Sequence, residues 1–335
     1  MSKFLIIRFS SIGDIVLTTP VIRCLKKQVP NSEIHFLTKS SFASIVENNP
    51  YIDKIQLLSN SWELLLQQLR LEKYDYVIDL HHNLRTFRLK SDLRVKSFSF
   101  NKLNIQKWFF TKLKWNFLPD EHIVDRYLKT VKQFGVSNDG DGLDYFLPKN
   151  EKLQQMDIPI SHRMGYVGFA IGALHNTKKL PLAKMKELCN QIKYPIILLG
   201  GKEDAEIGEL VAAVDSIKIF NACGKFSLNE SAVLVQNSKL IIAHDTGLMH
   251  IAAALKKPII SIWGNTVPEF GMKPYYGNFN IQNTIVEVHG LKCRPCSKIG
   301  HQQCPKSHFN CMNQQNISEI ATSVMNILGN ANNTN

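Results

Sequence analysis

The sequence predicts an α/β protein built from two Rossmann-like halves that face each other across a cleft. The chain has 335 residues, which suggests two domains at roughly 150 residues each. Short apolar runs alternate with helical stretches, as in parallel sheets covered by helices on both faces. The alternation is interrupted at Ser137–Arg163, where Asn-Asp-Gly-Asp-Gly and Pro159 indicate a linker. We therefore predict domains at 1–155 and 156–328.

The first half contains four candidate strands, each a short run rich in aliphatic and aromatic residues. In chain order they are Phe4–Arg8, Glu33–Leu37, Lys54–Leu58 and Tyr76–Leu80. Helical stretches separate them: Asp14–Val29, a stretch that ends near Asn48-Asn49-Pro50, and Ser61–Leu71. Pro20 favours a start of the first helix at Thr18–Pro20, with 14–17 as a lead-in turn.

The second half repeats this pattern. Its strands are Tyr166–Ile171, Pro195–Leu199, Ile217–Asn221, Leu240–Ala243 and Pro258–Trp263, and its helices are Leu182–Ile192, Glu206–Val214, Ser227–Val235 and Gly247–Leu255. A last helix, Ile317–Leu328, either stays in this domain or packs back on the N-terminal one, and 329–335 is typical of a disordered tail. Ligands of open parallel sheets bind beyond the carboxyl ends of the strands, so the loops that follow strands are the candidate sites.

From the composition and the first residues we predict a protein that neither spans a membrane nor is secreted. The longest apolar runs are a few residues long, far short of the ~20 residues needed to cross a bilayer. The run Phe4–Ile7 is cut by Arg8, which is unlike a signal peptide. Seven cysteines are an odd number, and without a signal peptide we predict a reducing cytoplasm.

The net charge of +12 is concentrated in one segment, His81–Trp115. It holds one acid, Asp92, and nine bases: Arg85, Arg88, Lys90, Arg94, Lys96, Lys102, Lys107, Lys112 and Lys114. Phe and Trp residues are interleaved with them. This mixture suits an anionic partner, either nucleic acid, a membrane face or a charged glycolipid. The plain alternative is a solvated basic face.

The stretch HDTG, residues 244–247, joins an apolar run to a helix. Asp245 or Thr246 can serve simply as the helix cap. Gly247 favours a ligand site, because a residue without Cβ lets a ligand approach the free N–H groups and positive dipole of a helix start, which suit a diphosphate. Asp245 would then accept hydrogen bonds from sugar hydroxyls.

The stretch FSSIGD follows the first predicted strand. It superficially resembles a dinucleotide-binding turn, but Gly13 stands alone and the G-x-G-x-x-G spacing is missing. Asp14 is therefore either a helix cap or a carboxylate at the cleft floor that takes a proton.

Two later loops carry charges that suit a nucleotide sugar. Lys178 or Lys179 follows a glycine after a strand and can neutralise a diphosphate as a point charge. Glu203 and Asp204 follow Gly200-Gly201, a position that often holds ribose hydroxyls. Acids there also favour the helix dipole, so both interpretations stay open.

Four cysteines lie close together near the C-terminus: Cys293, Cys296, Cys304 and Cys311. The first pair has the spacing of a zinc site, but the second gap does not repeat it. We favour free thiols over a structural zinc or disulfides.

In combination these stretches resemble glycosyltransferase family 9, the ADP-heptose:lipopolysaccharide heptosyltransferases. FSSIGD, YDYVIDLHHNLRT, GALHNTKKLP, ILLGGKEDAE, HDTGLMHIAAALKKPIISIWGNTVP and CRPC occur in the family's order, and the resemblance covers residue 3 to about residue 325. It implies a GT-B fold, with the acceptor in the N-terminal domain and the nucleotide sugar in the C-terminal domain. It also implies inverting, metal-independent transfer of a heptose from ADP-heptose to the inner core of lipopolysaccharide, with no cofactor.

The resemblance also implies roles for individual residues. Asp14 matches the general base, Lys178 the diphosphate-binding lysine, Glu203 or Asp204 the ribose-binding acid, and Asp245 the heptose contact. Thr246, Gly247 and Leu248 match the turn that cradles the diphosphate, and Ser10, Ser11, Gly13, Arg85 and Arg88 are the implied acceptor contacts. Leu180 departs from the family, which usually has Trp before this proline.

The implied partners are a nucleotide-sugar donor and an anionic glycolipid acceptor, Kdo-lipid A or a heptosylated core. The protein would then work at the cytoplasmic face of the inner membrane as a peripheral protein. One alternative is a related transferase that uses another nucleotide sugar or acceptor glycan. A nucleic-acid-binding α/β protein would explain the basic segment, but no recognition motif is present. A nicotinamide oxidoreductase would explain the α/β halves, but the glycine fingerprint is absent.

Overall fold

The structure is a computed structural model that describes residues 2–149 and 157–332. It divides into two compact units, each built on a parallel sheet with helices, which confirms the predicted α/β class. Among the described residues, the N-terminal unit contains 2–103, 121–146 and 277–279, and the C-terminal unit contains 104–120, 147–149, 157–276 and 280–332.

The N-terminal unit holds a parallel sheet with the strand order β3-β2-β1-β4-β5. Its strands are β1 (Ser2–Ile7), β2 (Ser32–Thr38), β3 (Lys54–Leu57), β4 (Tyr76–Asp79) and β5 (Lys96–Ser99). Its helices are α1 (Ile12–Val16), α2 (Thr19–Gln28), α3 (Trp62–Leu71), α4 (Leu84–Leu93) and α6 (Ile123–Leu128), and α5 (Asn104–Leu113) lies between α4 and α6 in the chain. Ser40–Ile45 and Lys129–Phe134 are 3₁₀ turns.

The C-terminal unit holds a second parallel sheet, in the order β11-β10-β9-β6-β7-β8. Its strands are β6 (Val167–Ala170), β7 (Ile196–Leu199), β8 (Ile219–Asn221), β9 (Leu240–His244), β10 (Ile259–Trp263) and β11 (Asn283–Glu287). Its helices are α7 (Leu182–Gln191), α8 (Ala205–Ala212), α9 (Leu228–Asn237), α10 (Gly247–Ala254), α11 (Asn310–Asn313) and α12 (Ile317–Asn332), with 3₁₀ turns at Ile160–His162, Asn176–Lys178, Lys202–Asp204 and Pro268–Phe270.

The central strands are buried on both faces, which explains their continuous apolar runs. In β1, Leu5 and Ile7 pack in one core cluster with Leu65 and Leu69 of α3. In the C-terminal unit, Phe169 of β6 and Ile242 of β9 share a cluster with helices α7 and α12. Because all strands are parallel, the loops after them gather at one edge of each sheet.

Two predicted helices differ from the observed ones. The predicted helix Asp14–Val29 is two helices, α1 and α2, because the chain turns at Leu17 and Thr18. The alternative start at Thr18–Pro20 is confirmed, since α2 begins at Thr19 with Pro20 in its first turn. The predicted helix before Asn48-Asn49-Pro50 is the 3₁₀ turn Ser40–Ile45.

The last helix, α12, belongs to the C-terminal core and runs four residues beyond its predicted end. Ile320, Val324 and Ile327 are buried in the same cluster as β9 and β10, so the alternative that this helix packs on the N-terminal domain is wrong. Residues 329–332, expected in a disordered tail, continue the helix. Residues 333–335 lie outside the described residues, as do 150–156 of the expected linker, where the predicted domain boundary falls.

Two short segments each belong to the unit that their position in the sequence does not predict. Residues 104–120, part of the first half, are grouped by their contacts with the C-terminal unit. Residues 277–279 belong to the N-terminal unit, where the Asn278 N–H donates to the Gly140 carbonyl at 2.7 Å. A Cβ on Gly277 would lie 2.1 Å from that carbonyl oxygen, so this close approach requires glycine.

No helix in the described part of the chain has both the length and the apolar character needed to cross a bilayer.

Candidate functional site

Asp14 follows β1 as the third residue of α1, where it is not the N-cap residue but the acid of a capping box. Ser11 is the N-cap, and its backbone N–H and hydroxyl donate to Asp14 Oδ2 at 3.2 and 2.8 Å. Asp14 Oδ1 forms an ion pair with Arg8 Nη2 at 2.7 Å. Burial opposes ionisation, but the Arg8 charge and the hydrogen bonds from Ser11 outweigh it and hold the pKa of Asp14 below its ordinary range. The carboxylate is therefore ionised and fixed in position at neutral pH.

Arg8 is a buried guanidinium that sequence reasoning treated only as the end of a strand. Its Nε donates to the Ser10 carbonyl at 2.7 Å, and its Nη1 donates to the Leu80 carbonyl at 2.5 Å and to the Tyr127 hydroxyl at 3.1 Å. Because three fixed acceptors and Asp14 surround it, Arg8 holds the loops after β1 and β4 together. An arginine directly after the apolar run Phe4–Ile7 is expected to be buried, and a buried arginine costs free energy unless it is paired. This position was the signal available in the sequence.

Two adjoining cavities lie in the N-terminal unit beyond the carboxyl ends of its strands. The larger, of about 630 Å³, is lined by Lys39, Ser40, Ser41, Leu58, Ser59, Asn60, Trp62, Leu84, Arg85 and Arg88. The smaller, of about 430 Å³, is lined by Phe9, Ser10, Lys39, His81, Asn83, Leu84 and Arg85. The structure thus brings the predicted residues Ser10, Arg85 and Arg88 to one connected, basic surface. Ser11 and Gly13 stay beside it in the loop that carries Asp14.

The loop after β4 is held by a buried ion pair and presents His81 to the smaller cavity. Asp79 is fully buried and pairs with Lys90 at 2.7 Å, and its other oxygen accepts the N–H groups of His81 and His82. Burial, with the charges of Arg8 and Lys102, lowers the pKa of His81 to about 4, so this ring is neutral at physiological pH.

Asp245 lies at the end of β9 in the C-terminal unit, and its carboxylate does not cap α10. Oδ2 forms an ion pair with Lys178 Nζ at 2.6 Å and accepts the Thr266 hydroxyl at 2.9 Å. Thr246 is the N-cap residue, but its side chain makes no capping hydrogen bond, and its buried hydroxyl has no partner among the described residues. Asp245 is therefore not the cap, and Thr246 occupies the predicted N-cap position without a side-chain capping hydrogen bond. Helix α10 begins at Gly247, so its first N–H groups, those of Gly247 and Leu248, lie beside Lys178 and Asp245.

A histidine contact positions Lys178. The Leu180 N–H donates to Nε2 of buried His244 at 3.0 Å, so the ring hydrogen is on Nδ1. Burial and the Lys179 charge lower the pKa of His244 to about 3, which keeps the ring a neutral acceptor. Leu180, where the family usually has Trp, is a buried core residue. The loop that carries Lys178 is thereby fixed to the last residue of β9, next to Asp245.

Asp204 and Glu203 have different environments. Asp204 is buried, pairs with Lys179 at 2.7 Å and accepts the Gly201 N–H at 3.1 Å. A Cβ on Gly172 would lie 2.2 Å from its carboxylate, so Asp204 is packed between two loops. Glu203 is exposed. The carboxylate of Glu203, and not that of Asp204, is thus available to a ligand.

Arg294, which sequence reasoning did not single out, braces the loop that holds Asp245. Its guanidinium donates to the carbonyls of Gly264 at 2.5 Å and Thr266 at 3.1 Å, and pairs with Glu287 at 2.7 Å. Thr266 in turn donates to Asp245. Arg294, in the C-x-x-C stretch, therefore fixes the backbone of residues 264–266 next to Asp245.

No three sulfur atoms of the four cysteines in this stretch lie within 4.8 Å of one another, although Cys293, Cys296 and Cys304 are all near enough to act on the pKa of Cys311. We call residues 290–311 the cysteine loop; all seven cysteines of the chain carry free thiols. Among the described residues, only Glu33, His35 and Glu72 place three potential ligand atoms within 4.8 Å of one another. Burial, reinforced by Cys293, raises the pKa of Cys296 to about 11, and burial with Cys296 raises that of Cys311 to about 12.

The basic segment His81–Trp115 is not a uniform solvated face. Lys90 pairs with Asp79, and the Arg88 guanidinium lies 4.6 Å from the Trp62 ring centroid. Lys114 donates to the carbonyls of Cys293 at 3.0 Å and Pro295 at 2.7 Å, and burial lowers its pKa. Several of these bases thus have structural partners, and Lys114 anchors the cysteine loop.

A family model described as "Glycosyltransferase family 9 (heptosyltransferase)" matches residues 62–306. Lipopolysaccharide heptosyltransferase 1 of Campylobacter coli is 28% identical over 289 residues, which cover 79% of this chain and 84% of that protein. Lipooligosaccharide heptosyltransferase 2 of Campylobacter jejuni is 25% identical over 329 residues, 96% of each chain.

Solved structures show the same fold. Escherichia coli ADP-heptose lipopolysaccharide heptosyltransferase II superposes with a TM-score of 0.75 at 18% identity, covering 98% of this chain and 99% of that one. The E. coli heptosyltransferase WaaC with ADP gives a TM-score of 0.68 at 18% identity, covering 97% and 99%. These likenesses extend over almost the whole chain and confirm the predicted GT-B fold class.

Proposed function

Because the chain belongs to glycosyltransferase family 9, the heptosyltransferases, we propose that it transfers a heptose from ADP-heptose to the inner core of lipopolysaccharide. The names of its relatives support this acceptor, since they are lipopolysaccharide and lipooligosaccharide heptosyltransferases. Two solved structures of one relative, E. coli WaaC, hold ADP and ADP-2-deoxy-2-fluoro heptose, and both ligands support the donor.

The observation that carries the proposal is the contact of Lys178 with Asp245 at the start of α10. The two charges sit beside free helix N–H groups, which attract a diphosphate. Lys178 adds a cation, and Asp245 Oδ1, which has no partner among the described residues, can accept a sugar hydroxyl. We assign the ribose contact to Glu203, because Asp204 is buried and already paired.

The proposed reaction is a single displacement with inversion. The acceptor oxygen bonds to the anomeric carbon of the heptose while its proton moves to the Asp14 carboxylate. The bond between that carbon and the diphosphate breaks, and ADP leaves with the electron pair. Lys178 and the N–H groups of Gly247 and Leu248 meet the charge that develops on the leaving oxygen.

The acceptor class follows from the two cavities of the N-terminal unit. Lys39, Arg85 and Arg88 line them together with Ser10. Guanidinium groups are suited to carboxylates and phosphates, which the sugars of an anionic glycolipid carry. We therefore propose Kdo-lipid A or a heptosylated core as acceptor, and peripheral contact with the cytoplasmic face of the inner membrane.

A nucleotide-sugar panel tests the proposal. The purified protein is given ADP-, UDP- and GDP-sugars, each with Kdo-lipid A or a heptosylated core, and the glycan product is measured by mass spectrometry. We expect a mass increase of one heptose with ADP-heptose only. Transfer from another nucleotide sugar would show that the proposed donor is wrong. Transfer only to another glycan would show that the proposed acceptor is wrong.

Arg8 should set the acidic limb of the pH profile. Asp14 acts as a base only when ionised, and the Arg8 charge lowers its pKa. Arg8→Met removes that charge, so the pKa of Asp14 rises and the acidic limb of kcat/KM moves to higher pH. Arg8→Lys keeps a cation beside Asp14, so its acidic limb should stay near the wild-type pH. An acidic limb that stays in place in Arg8→Met would show that it does not report Asp14.

The proposed chemistry requires no metal, so chelation should leave turnover unchanged. The protein is treated with EDTA, dialysed and assayed, and its metal content is measured by elemental analysis before and after. The Cys293→Ser/Cys296→Ser variant, assayed alongside, should retain turnover. Stoichiometric metal whose removal abolishes activity or folding would contradict this expectation.

A further inference from the structure

Helix α5 is held on the C-terminal unit by one face only. Phe110 packs edge-on against Phe270, with ring centroids 6.0 Å apart, and the Lys107 ammonium lies 5.5 Å from the same ring. Thr111 is buried, and Lys114 is anchored to the cysteine loop. These positions are three or four residues apart and therefore share a helix face.

The opposite face carries apolar side chains instead of the polar ones expected on a surface helix. Ile105, Trp108 and Phe109 lie on it, and the residues after the helix extend it. Phe109 stacks on Trp115 with ring planes 5° apart, and packs edge-on against Trp108 and Phe117 with centroids 5.3 and 6.1 Å away. We call Trp108, Phe109, Trp115 and Phe117 the aromatic surface.

The aromatic surface is both ordered and exposed. Trp108, Trp115 and Phe117 have 48%, 57% and 63% of their surface open to solvent. Contiguous exposed apolar groups of this kind mark binding surfaces. The rings fix one another through their mutual contacts, so little conformational entropy remains to be lost when a partner covers them.

The charge around the aromatic surface favours an anionic partner. Residues 104–119 contain Lys107, Lys112 and Lys114 and no acid. Lys112 is exposed, and Lys306 of the cysteine loop is close enough to act on the pKa of Lys114. Indole rings prefer the boundary between lipid headgroups and acyl chains, where one edge is apolar and the other is wet.

We propose that the aromatic surface inserts into the headgroup region of an anionic phospholipid bilayer, while Lys112 contacts the headgroups. The inference deepens the proposed function, because it assigns the peripheral membrane contact to residues 104–117 of the C-terminal unit. An aromatic surface beside a basic residue fits shallow insertion, since the rings can reach the acyl-chain boundary while the Lys112 ammonium stays among the headgroups.

Vesicle sedimentation tests the aromatic part. Wild-type protein should sediment with vesicles of phosphatidylethanolamine and phosphatidylglycerol, and Trp115→Ser/Phe117→Ser should lose about tenfold or more of its partition coefficient. Met164→Ser/Ile217→Ser is the matched control, because it removes two exposed apolar side chains elsewhere on the same unit. Equal binding of all three proteins would overturn the proposal.

The charge part has its own arm. Lys112→Glu should weaken binding to anionic vesicles by about tenfold or more, since it removes an attractive charge near the surface and adds a repulsive one. Its control, Lys193→Glu, makes the same charge change at an exposed lysine of the unit and should bind normally. Equal losses in both variants would overturn the role of Lys112 in favour of a general charge effect.

Fluorescence quenching decides the matter on the unaltered protein, whether or not the variants fold. Brominated phospholipids should quench wild-type tryptophan emission, and the quenching should shrink in Trp108→Phe/Trp115→Phe. Vesicle-bound protein without quenching would overturn insertion. Self-association through these rings in ultracentrifugation, with no vesicle binding, would replace the lipid with a second copy of the chain.

These measurements are independent of the transferase assay, because vesicle binding needs neither donor nor acceptor. The Trp115→Ser/Phe117→Ser variant should bind ADP normally and glycosylate an acceptor freed of its acyl chains as wild type does. A wild-type protein that binds vesicles but transfers no heptose would leave the aromatic surface standing and remove the proposed function.

Discussion

Asp14→Asn should slow transfer by about two to four orders of magnitude, with donor affinity little changed. The amide keeps the size of the side chain and can still accept hydrogen bonds from Ser11, but it cannot take the acceptor proton. A general base contributes about 10²–10⁴-fold to a rate. Single-turnover kinetics with saturating donor and acceptor measure the loss in the chemical step directly.

The control must account for the ion pair with Arg8, which Asp14→Asn also removes. Breaking a buried pair on one side costs roughly 3–5 kcal/mol of stability, so a lower melting temperature says nothing about catalysis. Asp139→Asn is the matched variant, because Asp139 pairs with buried Arg23 at 2.7 Å in the same unit. It should lower stability, by less than Asp14→Asn because Arg23 also pairs with Asp144, and leave the rate unchanged. Near wild-type turnover of Asp14→Asn would end the assignment of Asp14 as the base.

On the donor side, Lys178→Ala should slow transfer by about a hundredfold or more, the usual effect of removing one preorganised donor from a developing negative charge. Asp245→Ala should instead weaken ADP-sugar binding by about 10- to 100-fold, because it removes a charged hydrogen-bond acceptor. Calorimetry with ADP and with the ADP-sugar separates the two, since the Asp245 effect should be larger for the sugar nucleotide.

Lys179→Ala identifies which of the adjacent lysines serves the donor. Lys179 is paired with buried Asp204, so its loss should lower the melting temperature and change the rate of the folded enzyme little. Lys178 and Asp245 contact each other at 2.6 Å, and their double variant should therefore be non-additive. A slow Lys179→Ala beside a normal Lys178→Ala would reverse the assignment.

Most of the strands could be predicted because the central ones are buried on both faces and form apolar runs in the sequence. All nine predicted strands are present in the two sheets. Strands β5 and β11 were not predicted, and both lie at a sheet edge, where Lys96–Ser99 and Asn283–Glu287 carry polar residues. These two strands lack the continuous apolar signal of the central strands, whereas the predicted edge strands β3 and β8 keep apolar pairs, Ile55 with Leu57 and Ile219 with Phe220.

The site loops could be located from sequence, but the division of labour within them could not. Glu203 and Asp204 are adjacent and chemically alike, and only burial separates them. The same holds for Lys178 and Lys179, whose partners come from distant loops. Arg294 was missed because its acceptors are mainly backbone carbonyls, which leave no trace in the order of residue types. Arg8 was missed because half of its partners, Tyr127 and the Leu80 carbonyl, come from distant parts of the chain.

The contact of residues 277–279 with the N-terminal unit bears on the order in which the protein is made. A chain emerging from the ribosome can pair strands β1 to β5 early, yet the backbone bond from Asn278 to Gly140 cannot form until nearly all of the C-terminal sheet has been synthesised. During synthesis, folding of the N-terminal unit is therefore complete only after residues 277–279 have emerged. A fragment that stops at residue 155 would always lack it, so dissecting the enzyme at the linker removes part of the half it is meant to isolate.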